Sequence, residues 1–176
     1  MPTVSLLKLC FSDSDKTENC KQLYFSSFPE NERRLWEDIY RLQTDNICFN
    51  FFSVTFNGEF AGIVSVWVFE KMVYIEHFAI SEAKRCHGIG SKVLEELKSL
   101  YPKPIVLEID VPNDFISERR AEFYRRNGFF MYNDFYLQPP YKKGLNSVEM
   151  KIMSDNDTLT FDYIRSTLYS KVYGVQ

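Results

Sequence analysis

The sequence predicts a mixed α/β fold, and three observations carry that reading. Apolar residues recur at helical spacing in some segments and in short β-rich runs in others, the pair Asn57-Gly58 separates two such runs, and a glycine-bearing segment joins an apolar strand to an amphipathic helix. With 176 residues, 45% hydrophobic and 26% charged, the chain is long enough for one compact core and too short for two full domains.

The elements follow in order. Val4 to Phe11 is short, apolar and followed by Ser12-Asp13-Ser14-Asp15, which makes it a first strand ending in a polar turn. Thr17 to Phe28 places Leu23, Tyr24 and Phe28 at helical spacing; Pro29 interrupts it, and Glu30 to Leu42 resumes with Leu35, Trp36, Ile39 and Leu42 on one stripe. From Ile47 the pattern is that of strands: a run to Phe56, then Asn57-Gly58, then Glu59 to Glu70. An Asn-Gly pair there is a hairpin signal, because both turn residues must adopt positive φ. Met72 to Ile80 is another strand, and Gly88 to Leu100 a helix burying Val93, Leu94, Leu97 and Leu100. Pro104 to Val111 is a strand, Ser117 to Arg126 a helix stopped by Asn127-Gly128, Phe129 to Leu137 a strand and Ser147 to Met153 the last strand. Asp157 is placed to cap a terminal helix carrying Leu159, Tyr163, Ile164, Leu168 and Val172 on one face.

Composition excludes several functions. The net charge is −3, from 21 basic and 24 acidic residues, so the chain as a whole attracts neither nucleic acid nor an anionic membrane. The most apolar stretch, Ala61 to Phe69, is about half the roughly 20 residues of a membrane helix. Met1 to Phe11 lacks the pattern of a secretory leader, which gives a cytoplasmic expectation. Cys10, Cys20, Cys48 and Cys86 share no CxxC spacing, and only His77 and His87 are present, so no metal centre is expected.

The chemistry lies at the junction between Ile80 and the following helix. Arg85-x-x-Gly88-x-Gly90 puts two residues without Cβ at a helix start, where backbone N–H groups are unpaired and the macrodipole is positive. Arg85, Cys86, His87, Gly88, Ile89, Gly90 and Ser91 therefore form an anion cradle suited to a diphosphate, with Lys84 and Arg85 adding charge beside it. A dinucleotide fingerprint would need glycine where Val93 stands, and a nucleoside-triphosphate loop would need one at Arg85, so both fail.

Phe78-Ala79-Ile80, then Arg85-x-x-Gly88-x-Gly90, then Phe123-Tyr124-x-x-x-Gly128-Phe129, resembles the GNAT acyltransferase superfamily. Phe28-Pro29-Glu30-Asn31-Glu32-Arg33 resembles the family's break between its first two helices. The resemblance implies a mainly antiparallel central sheet of about six to seven strands flanked by helices, in a domain spanning residues 1–153, with residues 154–176 as a helical extension packed on it. It implies acetyl-CoA as acyl donor, its diphosphate on Arg85 to Ser91 and its pantetheine arm along the backbone of Phe78, Ala79 and Ile80, with no metal. It also implies a tyrosine hydroxyl near the thioester sulfur, which falls on Tyr124. The sequence departs from the pattern at Ser117, where many members carry an asparagine; Asn113 comes four residues earlier.

Acyl transfer to an amine needs a neutral nucleophile, a polarised carbonyl and a proton for the departing thiolate. Glu76 is the candidate base, since a two-residue period puts Tyr74, Glu76, Phe78 and Ile80 on one strand face. Its alternative is an ion pair with a neighbouring arginine or lysine at the sheet edge. Tyr124 is the candidate acid, its alternative a core aromatic. Cys86 beside His87 is read as lining the cradle, and Arg119-Arg120 with Arg125-Arg126 as a solvated helix face. The stiff aromatic loop Gln138-Pro139-Pro140-Tyr141 either shapes an acceptor pocket or only connects two strands. The leading expectation is an N-acetyltransferase acting on a small-molecule or peptide amine. The rival is a non-catalytic acyl-CoA-binding domain, and a homodimer through the terminal helix is compatible with either.

Overall fold

The computed structural model describes residues 3–175. The chain divides into two compact units, one running to Lys103 and one beginning at Pro104.

The first unit contains β1 (Val4–Lys8), α1 (Ser14–Ser27), α2 (Trp36–Asp45), β2 (Phe49–Phe56), β3 (Glu59–Val68), β4 (Val73–Ile80) and α3 (Ile89–Leu100). Its strands pair antiparallel in the order β1-β2-β3-β4. The hairpin between β2 and β3 turns at Asn57 and Gly58, whose φ values of 51° and 83° are those an Asn-Gly turn requires. α1 starts three residues before the expected Thr17, because Asp13 supplies its cap by accepting from the Lys16 N–H at 3.1 Å. It buries Cys20 and Tyr24 and packs on β3 and β4, while α2 packs on β2 and α3 on β1.

The second helix does not begin at Glu30. Glu30–Glu32 make a single 3-10 turn, Arg33 is extended, and α2 starts at Trp36. Hydrogen bonds hold this segment out of a helix: the Arg33 guanidinium donates to the carbonyls of Phe25 (2.7 Å) and Phe28 (2.8 Å), and the Arg34 N–H donates to the Tyr24 hydroxyl at 2.8 Å.

The β3–β4 register slips by one residue, with Ser65 opposite His77 but Val66 opposite Ile75, so Glu76 is the extra residue of a β-bulge. Gly62, paired with Ile80, allows a close approach there: a Cβ at this position would lie 2.5 Å from the Ala79 carbonyl oxygen.

The second unit contains β5 (Ile105–Asp110), α4 (Phe115–Arg126), β6 (Phe130–Met131), β7 (Tyr136–Gln138), β8 (Val148–Ser154) and α5 (Phe161–Thr167), the last continuing as a π-helical turn over Leu168–Tyr173. β8 pairs antiparallel with β5, β6 and β7. The described residues thus hold eight strands rather than six to seven, because Phe129 to Leu137 is two strands and not one. Asn133 and Asp134 interrupt it, their carbonyls accepting from Lys151 Nζ at 3.1 and 3.2 Å. α4 starts at Phe115 under an Asp114 capping box, in which the expected starter Ser117 is the third residue. α5 is capped by Thr160 rather than Asp157, and Leu159, Ile164, Leu168 and Val172 are buried. Among the described residues, no helix is long and apolar enough to cross a membrane.

Candidate active site

β4 delivers the chain to the cradle. After Ile80, a 3-10 turn at Glu82–Lys84 leads into a segment whose φ alternates in sign: −68° at Arg85, 64° at Cys86, negative at His87 and 71° at Gly88. Such alternation turns successive N–H groups toward one side, an anion-binding nest. Gly88 is exposed, Gly90 is half-buried, and no side chain caps α3, so the first N–H groups of the helix have neither an intrahelical partner nor a capping side chain. A Cβ on Gly88 would meet no atom within 4 Å; the left-handed backbone, not crowding, is what calls for glycine. The space over the turn is open, and these residues fit a diphosphate.

The side chains beside the cradle are partly committed. Arg85 donates through Nε to the Ile80 carbonyl at 3.0 Å, tying the loop to the end of β4. His87 Nδ1 donates to the Arg85 carbonyl at 2.7 Å. Lys84 pairs with Glu59 at 2.5 Å, so its charge is directed to β3 rather than to the cradle. Cys86 is an exposed free thiol, and Ile89 is buried beneath the turn.

Glu76 lies in a buried polar cluster. Its side chain is fully buried, and Oε1 accepts from Arg34 Nε at 3.0 Å and Arg34 Nη2 at 2.8 Å. Its alternative reading, an ion pair with an arginine, is thus what the structure displays, in the interior rather than at a sheet edge. Oε2 makes no hydrogen bond and lies 3.6 Å from His77 Nδ1. Burial pushes the carboxyl up, but the Arg34 guanidinium and His77 outweigh it and hold the group at about 2.

The bulge corrects the facing of this strand. Paired residues of antiparallel strands share a face, and the slip at Glu76 puts Tyr74 opposite Trp67 but Phe78 opposite Val64, on opposite sides. The Glu76 carboxylate goes with Arg34 and His77, which adjoin Trp67, Ser65 and Tyr24. His77 Nε2 donates to the Glu32 carbonyl at 3.0 Å, and its N–H donates to Ser65 Oγ at 3.1 Å.

In the second unit Tyr124 is buried on α4, its ring between Phe123 and Phe129, and its hydroxyl makes no hydrogen bond with the described residues. Burial pushes the phenol to about 12, so it carries its proton at neutral pH. Ser117 Oγ is spent on the cap, accepting from the N–H groups of Asn113 and Asp114. Arg120 pairs with Asp110, and Arg125 lies 3.6 Å from Glu122, which balances the basic helix face. Glu108 receives Tyr136, Gln138 (2.6 Å) and Tyr173 (2.7 Å) as donors, while the Tyr141 and Tyr173 rings meet at a tilt of 50° with centroids 5.3 Å apart, so the proline loop is held against the terminal turn. No group of three His, Cys, Asp or Glu able to hold a metal occurs among the described residues.

The model of the acetyltransferase (GNAT) family matches residues 17–129, from α1 through Phe129. The chain belongs to the GNAT family. A solved GNAT-family protein from Bacteroides thetaiotaomicron is 31% identical, covering 98% of this chain and 99% of that one with a TM-score of 0.91. Naa50 from Arabidopsis thaliana, solved with a bisubstrate analogue, shares the fold at 19% identity (87% and 98% coverage, TM-score 0.64). So does a Vibrio cholerae and human chimera of the spermidine N-acetyltransferase SpeG, at 13% identity (86% and 94%, TM-score 0.60). No curated relative matches this chain in sequence.

Within this GNAT chain, sequence reasoning missed Arg34, His77, Trp67 and Glu108. A signal existed for two of them: Arg33-Arg34 stands inside a helix break, and Glu108 interrupts the apolar run Ile105 to Ile109.

Proposed function

We propose that this protein is an N-acetyltransferase that uses acetyl-CoA to acetylate a primary amine by direct transfer. The observation that carries the reading is the open turn at Cys86–Gly88 leading into an uncapped helix start. On this reading the N–H groups from Cys86 to Ser91 receive the diphosphate, and the backbone of Phe78, Ala79 and Ile80 receives the pantetheine arm. Acetyl-CoA supplies an activated acyl group and a thiolate leaving group.

Magnitudes assign the remaining roles. Releasing the proton of a lysine-like amine to solvent at pH 7 costs about 4.6 kcal/mol, whereas a carboxyl held below its ordinary value by Arg34 and His77 is a poorer proton acceptor than an ordinary carboxylate. On this reading Glu76, enclosed with Arg34 and His77, does not carry the proton away, and the proton leaves to water. Tyr124, the residue the family resemblance puts near the sulfur, is a weak acid at about 12 against a thiol near 8.5, so it donates a hydrogen bond to the thiolate rather than its whole proton. The acceptor is a small molecule or a peptide terminus, as in the neighbours that act on spermidine or were solved with a peptide-bearing analogue.

The test is release of free CoA across polyamines, aminoglycosides, amino acids and peptide N-termini, with acetyl-CoA affinity measured by calorimetry. Tyr124→Phe is expected to lower turnover on the order of 10- to 100-fold with acetyl-CoA affinity retained. Unchanged turnover removes Tyr124 from the reaction. The second reading, a non-catalytic acyl-CoA-binding domain, is favoured by the commitment of Glu76 to Arg34. It predicts tight CoA binding with no CoA release from any amine.

A further inference from the structure

Apart from the cradle, the second unit gathers several polar and aromatic groups around one carboxylate. Glu108 lies within the apolar run of β5, yet it is half-buried rather than enclosed. The Tyr136 hydroxyl donates to its Oε1, while Gln138 Nε2 at 2.6 Å and the Tyr173 hydroxyl at 2.7 Å donate to its Oε2. These three donors are neutral, so they fix the carboxylate in place without cancelling its charge. Burial and that neighbouring charge push the Tyr136 phenol up, which keeps it a donor. Tyrosine rings flank the group: Tyr141 meets Tyr173 with centroids 5.3 Å apart, and Tyr136 meets Tyr169 at 5.9 Å. Like Glu108, Tyr141 and Tyr173 keep part of their surface in solvent.

Three separate segments converge on this carboxylate. β7 brings Tyr136 and Gln138, the proline loop brings Tyr141, and the terminal helix brings Tyr173. That helix widens into a π-helical turn over Leu168–Tyr173, a rare geometry that is frequent at functional sites. The Tyr169 hydroxyl fastens the turn to β7 by donating to the Leu137 carbonyl at 2.6 Å. A tie between β5 and the terminal turn needs no ionised group, and half-burying one costs desolvation, so the charge asks for a ligand of opposite sign. A carboxylate flanked by tyrosines attracts an organic ammonium twice over, through its charge and through the ring quadrupoles.

We infer that Glu108, with Tyr141 and Tyr173, forms a subsite that recognises an ammonium group of the acceptor. The inference rests on the acetyltransferase reading and deepens it, since it names the substrate class as an amine that arrives as a cation.

The probe is tetramethylammonium, a cation without N–H groups that cannot be acetylated. Its binding to the full chain is followed by saturation-transfer NMR on its methyl protons, and its inhibition of CoA release is measured with the best amine of the panel, against sodium chloride at equal ionic strength. In the wild type it is expected to bind and to compete with the amine, where sodium chloride does not. Glu108→Gln keeps the shape and removes the charge; with folding checked by thermal melting and acetyl-CoA affinity by calorimetry, it should raise both the tetramethylammonium constant and the amine KM by at least about tenfold. Tyr141→Ala should raise both by about threefold or more, and Tyr141→Phe should recover most of that loss, because the ring rather than the hydroxyl meets the cation. A Glu108→Gln protein that melts lower but keeps the wild-type tetramethylammonium constant and amine KM overturns the inference and leaves Glu108 a tie between β5 and the terminal turn. Should Glu108→Gln not fold, Tyr141→Ala decides: unchanged constants overturn it. Absence of acetyl-CoA binding in the wild type would defeat the functional reading itself, whereas turnover indifferent to Glu108 and Tyr141 defeats only the ammonium subsite.

Discussion

Single residues set the chemistry of both parts of the candidate site. Gly88 is held at a φ of 71°, where an L side chain is strained by about 1–2 kcal/mol. Gly88→Ala should therefore lower the urea midpoint by a corresponding amount and weaken acetyl-CoA binding, although its methyl group would touch nothing within 4 Å. A wild-type dissociation constant in this variant would separate the turn from the diphosphate. Glu76 makes a second prediction. Its folded carboxyl, at about 2, lies below the ordinary value of 4.5, so it stabilises the protein fully above pH 4.5, and this contribution disappears as pH falls toward 2. The loss is on the order of 3 kcal/mol when complete. Urea midpoints measured from pH 6 to pH 3 should fall more steeply for the wild type than for Glu76→Gln. The glycines were legible in the sequence because glycine at a helix start has few explanations. The partner of Glu76 was not, because nothing in a strand pattern tells which of 21 basic residues will reach a given carboxylate.

Elements reproduce the sequence pattern where a local signal fixes them and depart from it where distant contacts decide. The Asn57-Gly58 turn and α3 stand within a residue of expectation, since their determinants lie inside them. The bulge at Glu76 has no marker of its own: alternation reads smoothly through Tyr74, Glu76 and Phe78, and only pairing with β3 shows the inserted residue. The split between β6 and β7 was signalled by Asn133-Asp134, residues that favour turns, but the flanking aromatics outweighed them in the reading. At this scale Gly62 is the informative test. Gly62→Ala would bring a methyl group to 2.5 Å from the Ala79 carbonyl, a clash with backbone that β4 must relieve by shifting. A loss of about 1–3 kcal/mol in stability is expected, together with weaker acetyl-CoA binding through the displaced Ala79–Ile80 backbone. Stability lost with cofactor affinity intact would disconnect that backbone from the pantetheine arm.

For the whole molecule, the fold class and the family were legible, because element order and the motifs from Phe78 to Phe129 survive in linear form. The acceptor was not, since specificity of this kind is set by loop side chains whose arrangement a linear pattern does not encode. In the terminal helix Leu159, Ile164, Leu168 and Val172 are buried, and Tyr169 and Tyr173 are hydrogen-bonded to Leu137 and Glu108. The place of β8 has a kinetic consequence. β2, β3 and β4 meet their partners through consecutive hairpins, so that meander closes only short loops. β5, β6 and β7 all find their partner in β8, and Val106 faces Ser154 across the intervening chain. Closing longer loops slows assembly. In a refolding experiment with pulsed hydrogen–deuterium labelling, amides of β2 to β4 should acquire protection first and those of β5 in a later phase.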